Sequence, residues 1–138
     1  MHRDMFPLNC VIARGGTSKG IFLMSNDLPG DPVLRDRYIR EIFGSPDLRQ
    51  IDGLGGADVL TSKLAIIGPP SREDADVDYL FAQVSFADEN VDFMSNCGNI
   101  SAAVAPFAID AGLVRAVEPV TAVRIHQVNT RRIITARV

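Results

Sequence analysis

The segment Asn96-Cys97-Gly98-Asn99 brings a thiol to the start of a predicted helix. Residues 100–111, which follow it, are small or apolar on nearly all sides, and this indicates a buried helix. The first N–H groups of a helix lack an intrahelical partner, and the dipole there favours an anion, either a thiolate or a bound carboxylate. Gly98 would let a ligand approach the backbone. A plain helix start, with Asn96 as cap and Cys97 as a small buried side chain, fits the same residues.

A glycine-rich turn over residues 15–20 is the second candidate for a binding site. Consecutive glycines followed by hydroxyls, as in Gly15-Gly16-Thr17-Ser18, can form a nest of N–H groups that binds an anion. The turn lacks the spacing of a P-loop, so it does not indicate a nucleotide site. An ordinary hairpin turn with a solvated Lys19 explains the pattern equally well.

Lys63 opens the apolar run Lys63–Ile67 and is a candidate acid or base. Burial disfavours the charged form of a lysine and can make the amine a usable general base. The alternative is a lysine at the end of a strand whose ammonium reaches solvent.

No pattern in the chain predicts a metal site. His2 and His126 are far apart, and cysteine pairs at ligand spacing are absent, which argues against zinc. The acidic run over residues 74–78 lacks the glycine and the terminal glutamate of an EF-hand loop. We therefore interpret it as a solvated loop.

Composition predicts one globular domain without a basic binding surface. The 138 residues are 46% hydrophobic and 22% charged, with a net charge of −3, which disfavours nucleic acid and membrane partners. Apolar stretches end well before the roughly 20 residues of a membrane helix. The start of the chain does not have the pattern of a signal peptide, so we expect a cytoplasmic protein with Cys10 and Cys97 as free thiols.

Hydrophobic patterning predicts the elements that would position these groups. An outer helix is expected over about residues 32–43, after an Asp31 cap, and a buried helix over about 100–111, in which Pro106 could cause a kink. The predicted strands are Leu8–Ala13, Ile21–Met24, Lys63–Ile67, Tyr79–Phe86, Val120–Val128 and Ile133–Val138. A helix that is apolar on all sides needs a sheet around it. The expected fold class is α+β, with a curved, mostly antiparallel sheet wrapped around the buried helix.

Several motifs occur together in one order: residues 14–20, 44–56, 61–63, 76–84, 96–99 and 106–109. In this combination the chain resembles the family of 2-methylaconitate cis-trans isomerases, 3-methylitaconate isomerases and 4-oxalomesaconate tautomerases. The resemblance implies a diaminopimelate-epimerase-like fold of two similar lobes, with the active site between the facing helix starts. Residues 1–138 would then be a single N-terminal lobe, with the second lobe outside this chain.

The resemblance also implies roles for individual residues. Lys63 is implied as the general base and Cys97 as a second acid or base. Ser18 and Lys19 would lie on the substrate side, next to the glycine turn with Gly15, Gly16 and Thr17. The helix start would bind carboxylates through Asn96, Gly98 and Asn99. No metal or organic cofactor would be required.

The implied reaction shifts a proton and a double bond on an unsaturated di- or tricarboxylate. Gly55-Gly56-Ala57-Asp58 is more similar to the 4-oxalomesaconate tautomerases, and 2-methylaconitate cis-trans isomerase is the alternative. A further alternative is an inactive lobe or a module that only binds polycarboxylates. We expect that the missing half of the site comes either from a C-terminal lobe or from a second copy in a homodimer. One departure is Arg131, where the family usually has glycine, since that turn favours a positive φ.

Overall fold

The computed structural model describes residues 5–138, so the expectations about His2 and about the start of the chain lie outside the described residues. Within residues 5–138, seven strands form one mixed sheet. The strands are β1 (Val11–Gly15), β2 (Ser18–Met24), β3 (Lys63–Gly68), β4 (Val77–Val84), β5 (Val91–Asp92), β6 (Ala122–Gln127) and β7 (Arg132–Arg137). The helices are α1 (Pro32–Phe43), α2 (Gly98–Ser101) and α3 (Val104–Asp110), and a 3₁₀ turn covers Ser25–Asp27.

The sheet combines hairpins with parallel crossovers. Its strand order is β1-β2-β3-β4-β6-β7, and β5 pairs with β4 off this path. Among the described strands, β2 with β3 and β4 with β6 run parallel, and the other pairs are antiparallel. A parallel pair needs a long connection, which is usually helical. Here α1 lies in the first connection, and α2 and α3 lie in the second.

Both faces of the sheet are covered, and β3 is buried at every position. Alternate side chains of the central strands pack with α1 on one face and with α2 and α3 on the other. The hydrophobic cluster on the first face consists of the strand residues Ile21, Leu23, Leu64, Ile66, Ala82 and Val84 and the α1 residues Ile39, Ile42 and Phe43. The second includes Phe22, Ala65, Ile67, Tyr79, Phe81, Val123, Ile125, Cys97, Ile100 and Val104. The predicted α+β class, with a sheet around a central helix and one outer helix, is confirmed.

The predicted central helix over 100–111 is divided into two short helices. In a continuous helix the ring of Pro106 would clash with the carbonyl of Ala102, four residues earlier. The chain instead makes shorter-range bonds, from Ala102 N–H to Asn99 O at 3.2 Å and from Ala103 N–H to Ile100 O at 3.1 Å. Pro106 then occupies the first turn of α3, where its missing N–H costs no intrahelical bond. Pro106 therefore follows a break between two helices and does not kink one continuous helix.

The outer helix α1 has the predicted bounds. The Asp31 side chain accepts a hydrogen bond from Leu34 N–H at 3.1 Å, and Pro32 takes the first helical position. At the other end Gly44 adopts a left-handed conformation with φ of 77°, which ends the helix.

The strands begin and end at different residues from those predicted, most clearly in the first hairpin. The ladder of β1 and β2 includes the pairs Arg14 with Lys19 and Gly15 with Ser18, so the turn contains only Gly16 and Thr17. A two-residue loop with a glycine at positive φ in its first position is typical of a type II′ turn, and Gly16 has φ of 52°. The predicted turn over residues 15–20 is therefore longer than the observed one.

Arg131 lies in the turn between β6 and β7 and has φ of 60°, as the departure from the family pattern predicted. Its N–H donates to Gln127 O at 2.8 Å, and its carbonyl accepts from the Arg72 guanidinium at 2.8 Å. These two hydrogen bonds hold the residue in a conformation that side chains disfavour.

The same turn is fixed to β4 by Asn129. Its Oδ1 accepts from Phe81 N–H at 2.8 Å, and its Nδ2 donates to Phe81 O at 2.8 Å and to Phe93 O at 2.9 Å. We expect Asn129→Ala to lower the free energy of unfolding by about 2–3 kcal/mol, because it removes three bonds and leaves backbone groups unpaired. Urea unfolding measures this change. Asn26→Ala, at an exposed asparagine, is the control, with an expected change within about 0.5 kcal/mol; equal losses in both variants would contradict the assignment.

Candidate active site

The glycine turn and the start of α2 pack directly against each other. A Cβ added to Gly15 would lie 2.4 Å from Asn99 O and 2.8 Å from Ile100 Cα. One added to Gly16 would lie 2.4 Å from the Asn99 side-chain oxygen. The atoms near Gly15 belong to the backbone and leave no room for a side chain, whereas Gly16 meets only the exposed Asn99 side chain and is favoured by its φ of 52°. Both glycines therefore have a structural explanation that does not need an anion-binding nest.

Cys97 itself is the N-cap residue of α2, so the expected assignment of Asn96 as the cap is wrong. The backbone of Cys97 is extended, with φ of −136° and ψ of 110°, which turns its side chain back over the first helical turn. The Cys97 sulfur accepts from Ile100 N–H at 3.5 Å and lies 3.6 Å from the Ser18 hydroxyl oxygen. Its carbonyl accepts from the Tyr79 hydroxyl at 3.4 Å. Asn96 is exposed beside it.

These contacts favour the thiolate. Burial raises the pKa of the Cys97 thiol, but donors from Ile100 N–H and the Ser18 hydroxyl, the charge of Lys63 and the Asn99 N–H outweigh burial, so the pKa lies below its usual value. The opposite holds for Cys10, whose pKa is raised by burial. The pKa of Cys97 is therefore lowered and the pKa of Cys10 is raised. A lowered pKa is typical of a reactive cysteine, and a raised pKa is typical of an inert one.

Lys63 is buried, with only 7% of its surface exposed, so the interpretation as a strand-end lysine that reaches solvent is wrong. Its ammonium donates to Gln83 Oε1 at 2.9 Å and lies 5.3 Å from the centre of the Phe81 ring. An amide oxygen and an aromatic face both attract a positive charge. Lys63 pairs with Gly20 on β2 and with Gln83 on β4, so these three positions form one row across the sheet.

The remaining predicted residues lie on the exposed surface around Cys97, which we call the rim. Thr17, Asn96, Gly98 and Asn99 are exposed, and a Cβ added to Gly98 would meet none of the described atoms within 4 Å. The open space at Gly98 is where a ligand could approach the Cys97 region. Lys19 is also exposed, but alternation along β2 places it on the opposite face from Ser18. The structure thus brings together Gly15, Gly16, Ser18, Lys63, Cys97 and Asn99, and it leaves Lys19 outside this group.

Sequence reasoning missed three polar residues near this group. Tyr79 and Gln83 follow the same alternation on β4, which places them on the face of Phe81, and this pattern could have identified both. Asp92 pairs with Gln83, and its carboxylate accepts from the Ser95 hydroxyl at 3.0 Å just before Cys97. Asp92 and Ser95 are only three residues apart, but no pattern in the sequence indicates this contact.

The segment Gly55–Asp58, on which the tautomerase assignment rests, has a structural explanation. A Cβ added to Gly55 or Gly56 would lie 2.1 Å from the Gln50 side-chain oxygen or 2.2 Å from Thr61 Oγ1. Ala57 N–H donates to the same Gln50 oxygen at 2.7 Å. These residues let the loop after α1 fold tightly around the buried Gln50.

Residues 5–138 contain neither a metal-binding cluster nor a membrane-spanning helix. Across this range no group of three or more His, Cys, Asp or Glu side chains is placed to hold a metal ion. Among the helices of the same range, none has the length and apolar character needed to cross a membrane.

The architecture and the site define an α+β lobe of the diaminopimelate-epimerase-like class. A crystal structure of methylitaconate-delta-isomerase matches 99% of this chain and 35% of its own chain, with a TM-score of 0.96 and 64% identity. A probable proline racemase from Agrobacterium radiobacter K84 matches 87% of the chain with a TM-score of 0.50 and 16% identity, a likeness that concerns the fold alone.

The chain belongs to the PrpF protein family, whose model matches residues 5–138. The 3-methylitaconate isomerase of Eubacterium barkeri is 64% identical over 98% of this chain, and the 4-oxalomesaconate tautomerase of Pseudomonas putida is 56% identical over 94%. The 2-methyl-aconitate isomerase of Cupriavidus necator is 45% identical over 99%. The chain spans 36% of the length of the first two relatives. The predicted resemblance to this family of isomerases and tautomerases is confirmed.

The two glycine positions give a matched test of the packing. Gly15→Ala would force the hairpin away from α2, and we expect a loss of about 3 kcal/mol or more in the free energy of unfolding. Gly98→Ala meets open space, and we expect a change within about 0.5 kcal/mol. Thermal or urea unfolding of both variants measures the difference. A tolerated Gly15→Ala would show that the hairpin and α2 are not in close contact.

The charge coupling between Lys63 and Cys97 gives a second test. In the complete protein, the pH dependence of alkylation of the peptide that contains Cys97, followed by mass spectrometry, reports the Cys97 thiolate alone. We expect its midpoint below that of an ordinary cysteine, and a higher midpoint in Lys63→Met, because removing a nearby positive charge disfavours the thiolate. Alkylation at neutral pH should slow several-fold in the same variant. Arg14→Met, on exposed β1, is the control and should leave the midpoint unchanged.

Proposed function

We propose that this chain is the N-terminal lobe of a cofactor-independent isomerase that moves a proton and a double bond on an unsaturated di- or tricarboxylate. The observation that carries the proposal is that Cys97 and Lys63 are both buried on one face of the sheet, where the charge of Lys63 helps to lower the pKa of Cys97. Gly98, the next residue after Cys97, borders open space. The names of the relatives support the same class of reaction.

The reaction needs a group that removes a proton from carbon and a group that returns one elsewhere. A base takes a proton next to the unsaturated acid group, and the resulting dienolate is protonated at another carbon, which moves the double bond. The resemblance assigns the first step to Lys63. The contacts in the structure support the charged pair, in which the Cys97 thiolate is the base and the Lys63 ammonium is the acid. Because the isomerisation is reversible, the two assignments describe the same pair working in opposite directions.

Substrate carboxylates would bind at the rim around Cys97. Asn99 and Ile100 N–H groups already face the Cys97 sulfur, so they stabilise the thiolate rather than a ligand. The remaining donors are the exposed amides of Asn96 and Asn99 and the Gly98 N–H. Since α2 has only four residues, its contribution comes from these individual donors and not from a long helix dipole.

The substrate itself is proposed only as a class. Gly55–Asp58 folds a loop around Gln50, so this segment gives no physical reason to prefer 4-oxalomesaconate. The relative with 64% identity acts, by its name, on 3-methylitaconate, and the relative with 56% identity on 4-oxalomesaconate. We therefore propose that the site binds an unsaturated di- or tricarboxylate, with 4-oxalomesaconate, 2-methylaconitate and 3-methylitaconate as the compounds to compare.

A second candidate function is binding without turnover. The exposure of Asn96, Gly98 and Asn99 supports it, because general acid/base chemistry works best in a site that excludes water. A second lobe, or a second copy of the chain, would close the site. Measuring the mass in solution together with turnover separates the possibilities. A strict monomer that binds polycarboxylates without isomerising them would favour the binding module.

The test of the proposed function follows deuterium from solvent into product by NMR, with the three candidate carboxylates. In the complete protein we expect Lys63→Met and Cys97→Ala each to reduce turnover by about 10²–10⁴-fold, since each removes one proton-transfer group. Cys10→Ser is the control and should retain normal turnover. Normal deuterium incorporation in either site variant would remove that residue from the proposed acid/base pair.

A further inference from the structure

The Gln83 side chain makes three hydrogen bonds, one of them with Lys63. Its Oε1 accepts from the Lys63 ammonium at 2.9 Å. Its Nε2 donates to Val59 O at 3.1 Å and to Ser62 O at 3.0 Å. The Gln83 amide therefore joins the lysine to the backbone of the segment 59–62, just before β3.

Only one orientation of this amide satisfies its neighbours. Turning it over would place the Gln83 NH₂ group against the Lys63 ammonium and its oxygen against two carbonyl oxygens. Each of these contacts would be repulsive. The carbonyls of Val59 and Ser62 therefore fix the orientation of the Gln83 amide. The amide oxygen is in turn a fixed hydrogen-bond acceptor for Lys63.

A lysine needs such an acceptor because its stem is long and flexible. The Lys63 side chain has four rotatable bonds and loses substantial conformational entropy when it is held in one geometry. The Phe81 ring lies 5.3 Å from the ammonium and offers a second, less directional contact. Without the amide oxygen, a buried ammonium would lack a hydrogen-bond acceptor there and would move towards one elsewhere.

We propose that Gln83 is the positioning residue of the acid/base pair, which holds the Lys63 ammonium in place through an amide fixed by the backbone of residues 59–62. The inference rests on the proposed function for its catalytic consequence, since it assigns Gln83 a part in the same site. The other part of the inference, that Gln83 fixes the position of the Lys63 ammonium, does not depend on the proposed function. That charge is one of the influences on Cys97, together with the Ser18 hydroxyl and the N–H groups of Asn99 and Ile100.

The test is a double-mutant cycle read on the Cys97 thiolate, by the same alkylation of the Cys97 peptide in the complete protein. Gln83→Met keeps the length of the side chain and removes the acceptor. We expect it to raise the thiolate midpoint, in the same direction as Lys63→Met and by less. In a Lys63→Met background we expect Gln83→Met to have no further effect, because its influence passes through the lysine. Gln127→Met is the matched control, since Gln127 is also buried but lies on β6, where it pairs with Tyr79 of β4 rather than with Lys63.

Two results would overturn the proposal. One is an unchanged Cys97 midpoint in Gln83→Met. The other is an equal shift with and without Lys63, which is the result expected if Gln83 supports the fold alone. Circular dichroism checks that each variant is folded; should Gln83→Met not fold, Gln83→Asn, whose shorter amide cannot reach both sides, replaces it in the same cycle.

Turnover separates the failure of this inference from the failure of the proposed function. In the complete protein we expect Gln83→Met to lower kcat about tenfold or more with a small change in KM, because misplacing a proton-transfer group affects the reacting state most. If Lys63→Met turns over normally, the acid/base assignment is wrong, yet the thiolate cycle still decides whether Gln83 positions Lys63. If Lys63→Met is inactive and Gln83→Met is normal in both kcat and midpoint, only the positioning proposal is wrong.

Discussion

The site depends on the close approach of the first hairpin to the start of α2. The backbone at Gly15 lies so near the backbone of Asn99 and Ile100 that it has no space for a Cβ, and Gly16 contacts the Asn99 side chain at a positive φ. This contact brings the hydroxyl of Ser18 to the sulfur of Cys97, at 3.6 Å. A side chain at the turn would separate two elements that are about eighty residues apart in sequence, and the polar contacts around the thiol would be lost with them.

Much of the fold follows from local patterns in the sequence. The bounds of α1 come from its Asp31 cap and its terminal Gly44, both of which act through neighbouring backbone groups. The continuous burial of β3 agrees with its unbroken apolar run, which is typical of a strand covered on both faces. The central helix was harder to predict. The consequence of Pro106 depends on whether the chain bends at the proline or restarts before it, and here it restarts near Ala102.

The chemistry of the site was only partly predictable. Cys97 and Lys63 could be selected by residue type and by their places at the edges of apolar segments. Their contacts were less predictable. Alternation along β4 indicates the face on which Tyr79 and Gln83 lie, but which atoms reach Cys97 and Lys63 depends on how the strands and α2 pack together. Asn96 was assigned as the cap because asparagine is a common cap. Because the backbone of Cys97 is extended, the N-cap of α2 is Cys97, one residue later than Asn96.

That difference of one residue changes the chemical interpretation of the helix start. With Asn96 as cap, the asparagine side chain would accept from an N–H group of α2, and Cys97 would be only a small buried side chain. With Cys97 as cap, the N–H groups of Asn99 and Ile100 face its sulfur and stabilise a negative charge on the protein. The thiolate then has donors on one side and the charge of Lys63 nearby, while Gly98 leaves the approach from solvent open. In the proposed function, fixed donors around Cys97 would reduce the rearrangement needed to take a proton from carbon, which is how such donors lower a barrier.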